Sequence, residues 1–123
     1  MQHYTVYLNY IPDYEQIREV QVYSLTEMKC YDEYENGNAI YRTNTHIQEI
    51  TDYLNNIKLV EASYDELPNI SADGSIRYCD NKNSVVKLFA LYGGYYIEDV
   101  YNDKLYRTKG TFDIIESLSS LDL

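Results

Sequence analysis

The chain has no tryptophan, two phenylalanines, two cysteines, two histidines and two prolines in 123 residues. Each scarcity removes a class of function. His3 lies beside the terminus and His46 in the first turn of an expected helix, and no G-x-S-x-G elbow is present, so no Ser or Cys has a base to take its proton. Cys30 and Cys79 fall in separate expected strands. A disulfide between them requires the fold to bring those strands together. A zinc site would need Cys30, Cys79, His3 and His46 to converge without the short paired spacings such sites use. Gly93-Gly94 is followed by strand residues rather than a helix start, which fits a turn and not a phosphate loop. Catalytic, cofactor-binding and metal-binding residues are therefore all expected to be none.

Two further absences bear on location and partners. No stretch of 18 apolar residues exists, and Met1 to Leu8 lacks the basic and apolar regions of a secretion signal. The expected location is cytoplasmic as given, or extracytoplasmic if an anchor or signal was removed, with no membrane contact in the chain as given. Positive charge is also scarce: 10 Lys and Arg against 20 Asp and Glu give a net charge of −10 and a pI near 4.4. Direct binding to nucleic-acid phosphates is disfavoured.

What the chain has in quantity is tyrosine, 16 residues, within a composition that is 45% hydrophobic and rich enough to form a core. At this length a single domain, residues 1–123, is expected to bury roughly two-thirds of its unfolded surface. β-branched and aromatic runs predict strands at Tyr4–Leu8 and at about 18–25. Met28–Tyr34 and Ala39–Arg42 flank Asn36-Gly37, whose readiness for positive φ predicts a hairpin. Ile47, Ile50, Leu54 and Ile57 share one face of a helix, with Thr45 as N-cap and Gln48 completing a capping box.

Leu59–Ala62 reads as a short strand and Ser63–Asn69 as a loop. The C-terminal half predicts a meander: Ser75–Cys79, a turn at Asp80–Asn83, Val85–Leu91, a Gly93-Gly94 turn, Tyr95–Glu98 and Leu105–Arg107. A short helix capped by Thr111, with Phe112, Ile115 and Leu118 on one side, closes the chain. The fold class expected is α+β, a twisted antiparallel sheet with one main helix packed on one face and a short C-terminal helix.

The acids are uneven. Residues 1–66 hold 12 acids and 4 bases, net −8, whereas residues 67–123 hold 8 acids and 6 bases, net −2. Asp32-Glu33, Asp65-Glu66 and Glu98-Asp99 lack calcium-loop spacing, and neighbours on a strand point to opposite faces, so they read as solvated charges. Acids interleaved with tyrosines suit a contact with a basic protein surface, since carboxylates steer association and the rings supply contact area. Tyr31, Asp32, Glu33, Tyr34, Glu35, Asp65 and Glu66 are the candidate partner-binding residues.

The function expected is that of a non-enzymatic acidic, tyrosine-rich binding protein, in its sharpest form a phage or mobile-element inhibitor that covers a nucleic-acid-binding surface of a host protein. Two alternatives stand beside it. One is an extracytoplasmic lipoprotein-type domain. The other is a protein that sequesters a small molecule or nucleotide between tyrosine-rich walls and Arg77, Arg107 or Lys109. The composition leaves the oligomeric state open.

Three stretches carry a resemblance. Ile11-Pro12-Asp13-Tyr14-Glu15-Gln16-Ile17, Ser63-Tyr64-Asp65-Glu66-Leu67-Pro68 and Tyr95-Tyr96-Ile97-Glu98, with Tyr101 and Tyr106 beyond, resemble a family of small domains of unknown function in Firmicutes cell-surface lipoproteins. The resemblance covers about residues 11 to 107 and implies a helix preceding a meander. Val100 stands where the family has proline, and no lipobox cysteine precedes the domain. The family brings no established activity.

Overall fold

Alternation decides the first strand. In β1 (Ile17–Ser24), Val20, Val22 and Ser24 are buried, while Glu19, Gln21 and Tyr23 keep partial exposure on the other face. A register shift between Ile17 and Glu19 lets Ile17 join the buried set despite its odd spacing. The structure, a computed structural model, describes residues 4–25, 38–67, 71–110, 113–121 and 123, together with the backbone of 33–35.

Seven further strands complete one sheet: β2 (Glu33–Glu35), β3 (Asn38–Thr43), β4 (Leu59–Ala62), β5 (Gly74–Asp80), β6 (Val85–Tyr92), β7 (Tyr96–Asp99) and β8 (Lys104–Thr108). The order is β2-β3-β1-β5-β6-β7-β8-β4, and every pairing is antiparallel. With α1 (Ile47–Asn56) and α2 (Ile114–Ser119) this is a small α+β fold.

The expected meander is present as β5-β6-β7-β8, in chain order. Its first turn is held by Asp80, whose carboxylate accepts the Lys82 and Ser84 amides at 2.8 and 2.9 Å. Its second uses Gly93 and Gly94 at φ 60° and 77°, a left-handed pair that only glycine adopts without strain. β2 and β3 pair with Glu35 opposite Asn38, which leaves the two-residue connection expected at Asn36-Gly37; those two residues and 28–32 lie outside the described residues.

One apolar cluster joins the sheet to the helices. Val20, Val22, Ala39, Leu59, Ile76, Tyr78, Phe89, Leu91 and Ile97 from the strands share it with Ile50 and Leu54 of α1, Ile57 just after it, and Ile114, Ile115 and Leu118 of α2. Thr51 of α1 also meets the Tyr78 hydroxyl at 2.8 Å inside it. Alternation along β5 and β6 puts Arg77, Leu88 and Ala90 on the opposite face.

Four local expectations are corrected. Tyr4–Leu8 is not a strand, because among the described residues its strand pairing is a single bridge, between Val6 and Leu59. Strand propensity is local, whereas a strand requires a continuous free edge to pair with. The N-cap of α1 is His46, not Thr45, and no capping box with Gln48 forms. Thr43 instead holds the turn before the helix by accepting the Thr45 and His46 amides at 3.2 and 2.9 Å, while His46 Nδ1 meets Glu49 at 3.1 Å.

The expected loop after β4 contains a 3-10 turn, Tyr64–Glu66, and the capping box occurs there instead, between Ser63 and Glu66. α2 begins after Asp113, whose carboxylate accepts the Ile115 and Glu116 amides at 2.9 and 3.2 Å; Thr111 and Phe112 lie outside the described residues.

Candidate functional site

Three places hold polar side chains in arrangements beyond ordinary surface. The first is closed. Lys87 on β6 is 8% exposed and shares the face of Phe89 and Leu91, which belong to the buried cluster, and its Nζ lies 2.6 Å from Asp99 of β7. Asn102 donates to the same carboxylate oxygen at 2.9 Å, and the rings of Tyr10 and Phe89 flank the ammonium at 5.2 and 5.3 Å. Tyr10, Tyr78 and Phe89 meet edge to face around it. The other Asp99 oxygen is buried without a partner among the described residues. Burial, with the nearby Tyr14 and Asp99, pushes Tyr10 up to about 12.

The second place is the segment that roofs this pair. Residues 4–14 are held at Val6, by the bridge to Leu59, and at Tyr10, whose backbone N–H and C=O bond the Asn55 side chain at 3.0 and 2.7 Å. Between and beyond these anchors large apolar side chains face outward: Tyr4 is 73% exposed, Tyr7 41%, Ile11 85% and Tyr14 42%. Asp13, Glu15, Glu49 and Asp52 are exposed on the same segment and on α1. Tyr14 and Asp52 lie close enough to the Tyr78 hydroxyl to help burial raise its pKa, so the segment and α1 border one another there.

The third place is the sheet face away from the buried cluster. Diagonal neighbours Tyr23 of β1 and Arg77 of β5 stack, with the guanidinium carbon 4.5 Å from the ring centroid. The Tyr23 hydroxyl donates to Gln21 at 3.0 Å, and Gln21 donates to Glu19 at 2.8 Å. A cleft of about 490 Å³ opens beside them, with Leu88 and Ala90 on its floor and Asn38, Asp73 and Ser75 at its margins. Further along the same face the Tyr64 and Tyr92 hydroxyls both donate to Glu98, at 2.9 and 2.8 Å. Burial and that shared carboxylate push both phenols up to about 12.

The candidate partner-binding residues that fall among the described ones divide between the two ends of the strand order. Glu33, Tyr34 and Glu35 form β2 at one edge, with Tyr31 and Asp32 outside the described residues. Asp65 and Glu66 follow β4 at the other edge and are exposed. Glu66 is committed locally: it accepts the Ser63 amide at 2.8 Å and lies 3.6 Å from Arg107. Of the three cations considered for ligand binding, Arg77 lines the larger cleft, and Arg107 lines a smaller one of about 360 Å³ with Tyr95 and Tyr96. Lys109 instead donates to Thr5 at 2.5 Å.

The segment Tyr4–Tyr14 was missed because its alternation reads as a strand. The signal for Tyr23 was present in the polar Glu19, Gln21, Tyr23 row of β1. Cys79 is a buried free thiol whose pKa burial raises, and Cys30 lies outside the described residues. Among the described residues no cluster of His, Cys, Asp and Glu suits a metal, and no helix is long and apolar enough to cross a membrane. No family model, curated protein or solved structure matches the chain.

Proposed function

We propose that the protein is a non-enzymatic binding module that engages a basic protein surface, in the manner of an inhibitor that covers a nucleic-acid-binding face. The observation that carries this reading is the Tyr4–Tyr14 segment. Tyr10 bonds Asn55 of α1, so the exposed Tyr4, Tyr7, Ile11, Asp13, Tyr14 and Glu15 belong to a segment that lies against a helix exposing Glu49 and Asp52. Aromatic side chains of this kind supply the buried anchors of protein interfaces, and surrounding carboxylates steer a basic partner and set its register. β2, which carries Glu33 and Glu35, lies at one edge of the sheet. A twisted sheet backed by α1 gives this surface a rigid support, a reading favoured by the Thr51–Tyr78 contact.

Charge reversal separates the candidate surfaces. Lysine is placed at Asp13, Glu15, Glu49 and Asp52 in one variant, at Glu33 and Glu35 in a second, and at Asp65 and Glu66 in a third. Each is compared with the wild type for salt-sensitive retention of a basic host protein. The first variant is expected to lose at least tenfold in affinity with its thermal midpoint kept. Equal retention by all three variants would sink the acidic-contact reading.

A further inference from the structure

We propose that the Tyr23–Arg77 cleft is a binding site for a small planar anion, a ring bearing a phosphate or a carboxylate. This inference is independent of the protein-binding surface, which lies on the other side of the sheet.

Three observations carry it. Arg77 is half-buried, yet among the described residues it makes no ion pair or hydrogen bond; its contact is the Tyr23 ring. The other cations without an ion pair among the described residues, Lys58, Lys82, Lys104 and Lys109, are exposed, whereas the buried Lys87 and the half-buried Arg107 each hold a carboxylate. A guanidinium resting on a ring keeps its five N–H donors in a fixed fork that matches carboxylate and phosphate oxygens. The stack is itself positioned, because the tyrosine hydroxyl is tied to Gln21 and Gln21 to Glu19.

The cleft supplies the rest. Its volume of about 490 Å³ falls within the roughly 300–1,000 Å³ of small-molecule sites. Leu88 and Ala90 contribute apolar lining that suits a ring, and Asn38 and Ser75 contribute polar lining. Asp73, the acid in the lining, has both oxygens turned to the Gly93 amide at 3.2 Å. The net charge of −10 opposes any anion at long range, but at 0.15 M salt charges beyond about 8 Å are largely screened, leaving the adjacent guanidinium to decide.

The test is an amide-resolved NMR titration of the whole chain at 0.15 M salt with four probes in separate arms: adenosine 5′-monophosphate, 4-hydroxybenzoate, adenosine and inorganic phosphate. The first two distinguish a phosphate from a carboxylate source. At least one of them is expected to shift the Ser75, Arg77 and Leu88 amides, with adenosine and phosphate at least tenfold weaker. Arg77→Gln is expected to lose at least tenfold in affinity; Arg77→Lys, which keeps the charge without the fork, decides the matter if Arg77→Gln fails to fold, and is expected to lose a similar factor. No shift at the cleft with either ring-bearing anion, inorganic phosphate binding as tightly as both, or unchanged binding by both Arg77 variants would overturn the proposal.

Discussion

Lys87 and Arg77 stand on neighbouring strands and face opposite sides of one sheet, and they are treated differently. Lys87 is enclosed: a carboxylate at 2.6 Å neutralises it, Asn102 supports that carboxylate, and two rings exclude water. Arg77 is sheltered by one ring and borders an open cleft. A sheltered charge whose partner lies in its own chain is part of the fold. A sheltered charge left without one among the described residues is the one proposed here to hold a ligand.

The largest effect is expected from breaking the closed side. Asp99→Ala strands the ammonium of Lys87 in a buried site and should cost about 3–5 kcal/mol in urea denaturation. Replacing both partners, as Lys87→Met with Asp99→Leu, should recover most of that loss, because apolar groups fill the space without a charge to desolvate. A double variant as unstable as Asp99→Ala would show that the pair matters for shape rather than for charge.

Next in size is the anchor of α2 on the closed side. Gly94 has φ 77°, its carbonyl accepts the Ile114 amide at 2.8 Å, and a side-chain carbon there would overlap the Asp113 carboxylate. Gly94→Ala should cost about 2 kcal/mol and displace the Asp113 cap, readable as faster amide exchange at Ile115 and Glu116.

The smallest effect spans both sides. Tyr10 over Lys87, and Tyr64 and Tyr92 on the cleft-bearing face, hold their protons up to about 12, against roughly 10 in an unfolded chain. The unfolded state therefore gives up these protons first. The contribution is fully present below pH 10 and is lost as pH rises from about 10 to 12, so stability should fall across that window. Tyr92→Phe and Tyr10→Phe should each flatten the fall, and denaturation midpoints at pH 9 and 11 measure it.

The course of the chain was legible where one segment decides its own fate. The 3, 4, 3 spacing of Ile47, Ile50, Leu54 and Ile57 marks α1, and Gly93-Gly94 marks the turn between β6 and β7. It was not legible where a distant group decides. Tyr4–Leu8 has strand composition, but among the described residues its strand pairing is the single bridge from Val6 to Leu59. Thr43 on β3 holds the turn before α1, and the helix has no side-chain cap.

The same holds for the sites. Arg77 was recognisable as a cation among tyrosines, but its choice of Tyr23 depends on the β1–β5 register, which the local pattern does not specify. Asp65 and Glu66 were visible as an acidic pair beside a proline loop, whereas the commitment of Glu66 to Ser63 and Arg107 follows from the 3-10 turn and the placement of β4 next to β8.

The most direct test of the contrast between a closed and an open cation is a matched pair of urea denaturations, Lys87→Gln against Arg77→Gln. Removing Lys87 leaves Asp99 buried and unpaired and should cost about 3 kcal/mol, whereas removing Arg77 forfeits one partly exposed stacking contact and should cost about 1 kcal/mol or less. An equal loss in the two variants would contradict the account, because Arg77 would then be a structural cation like Lys87 rather than one held open for a ligand.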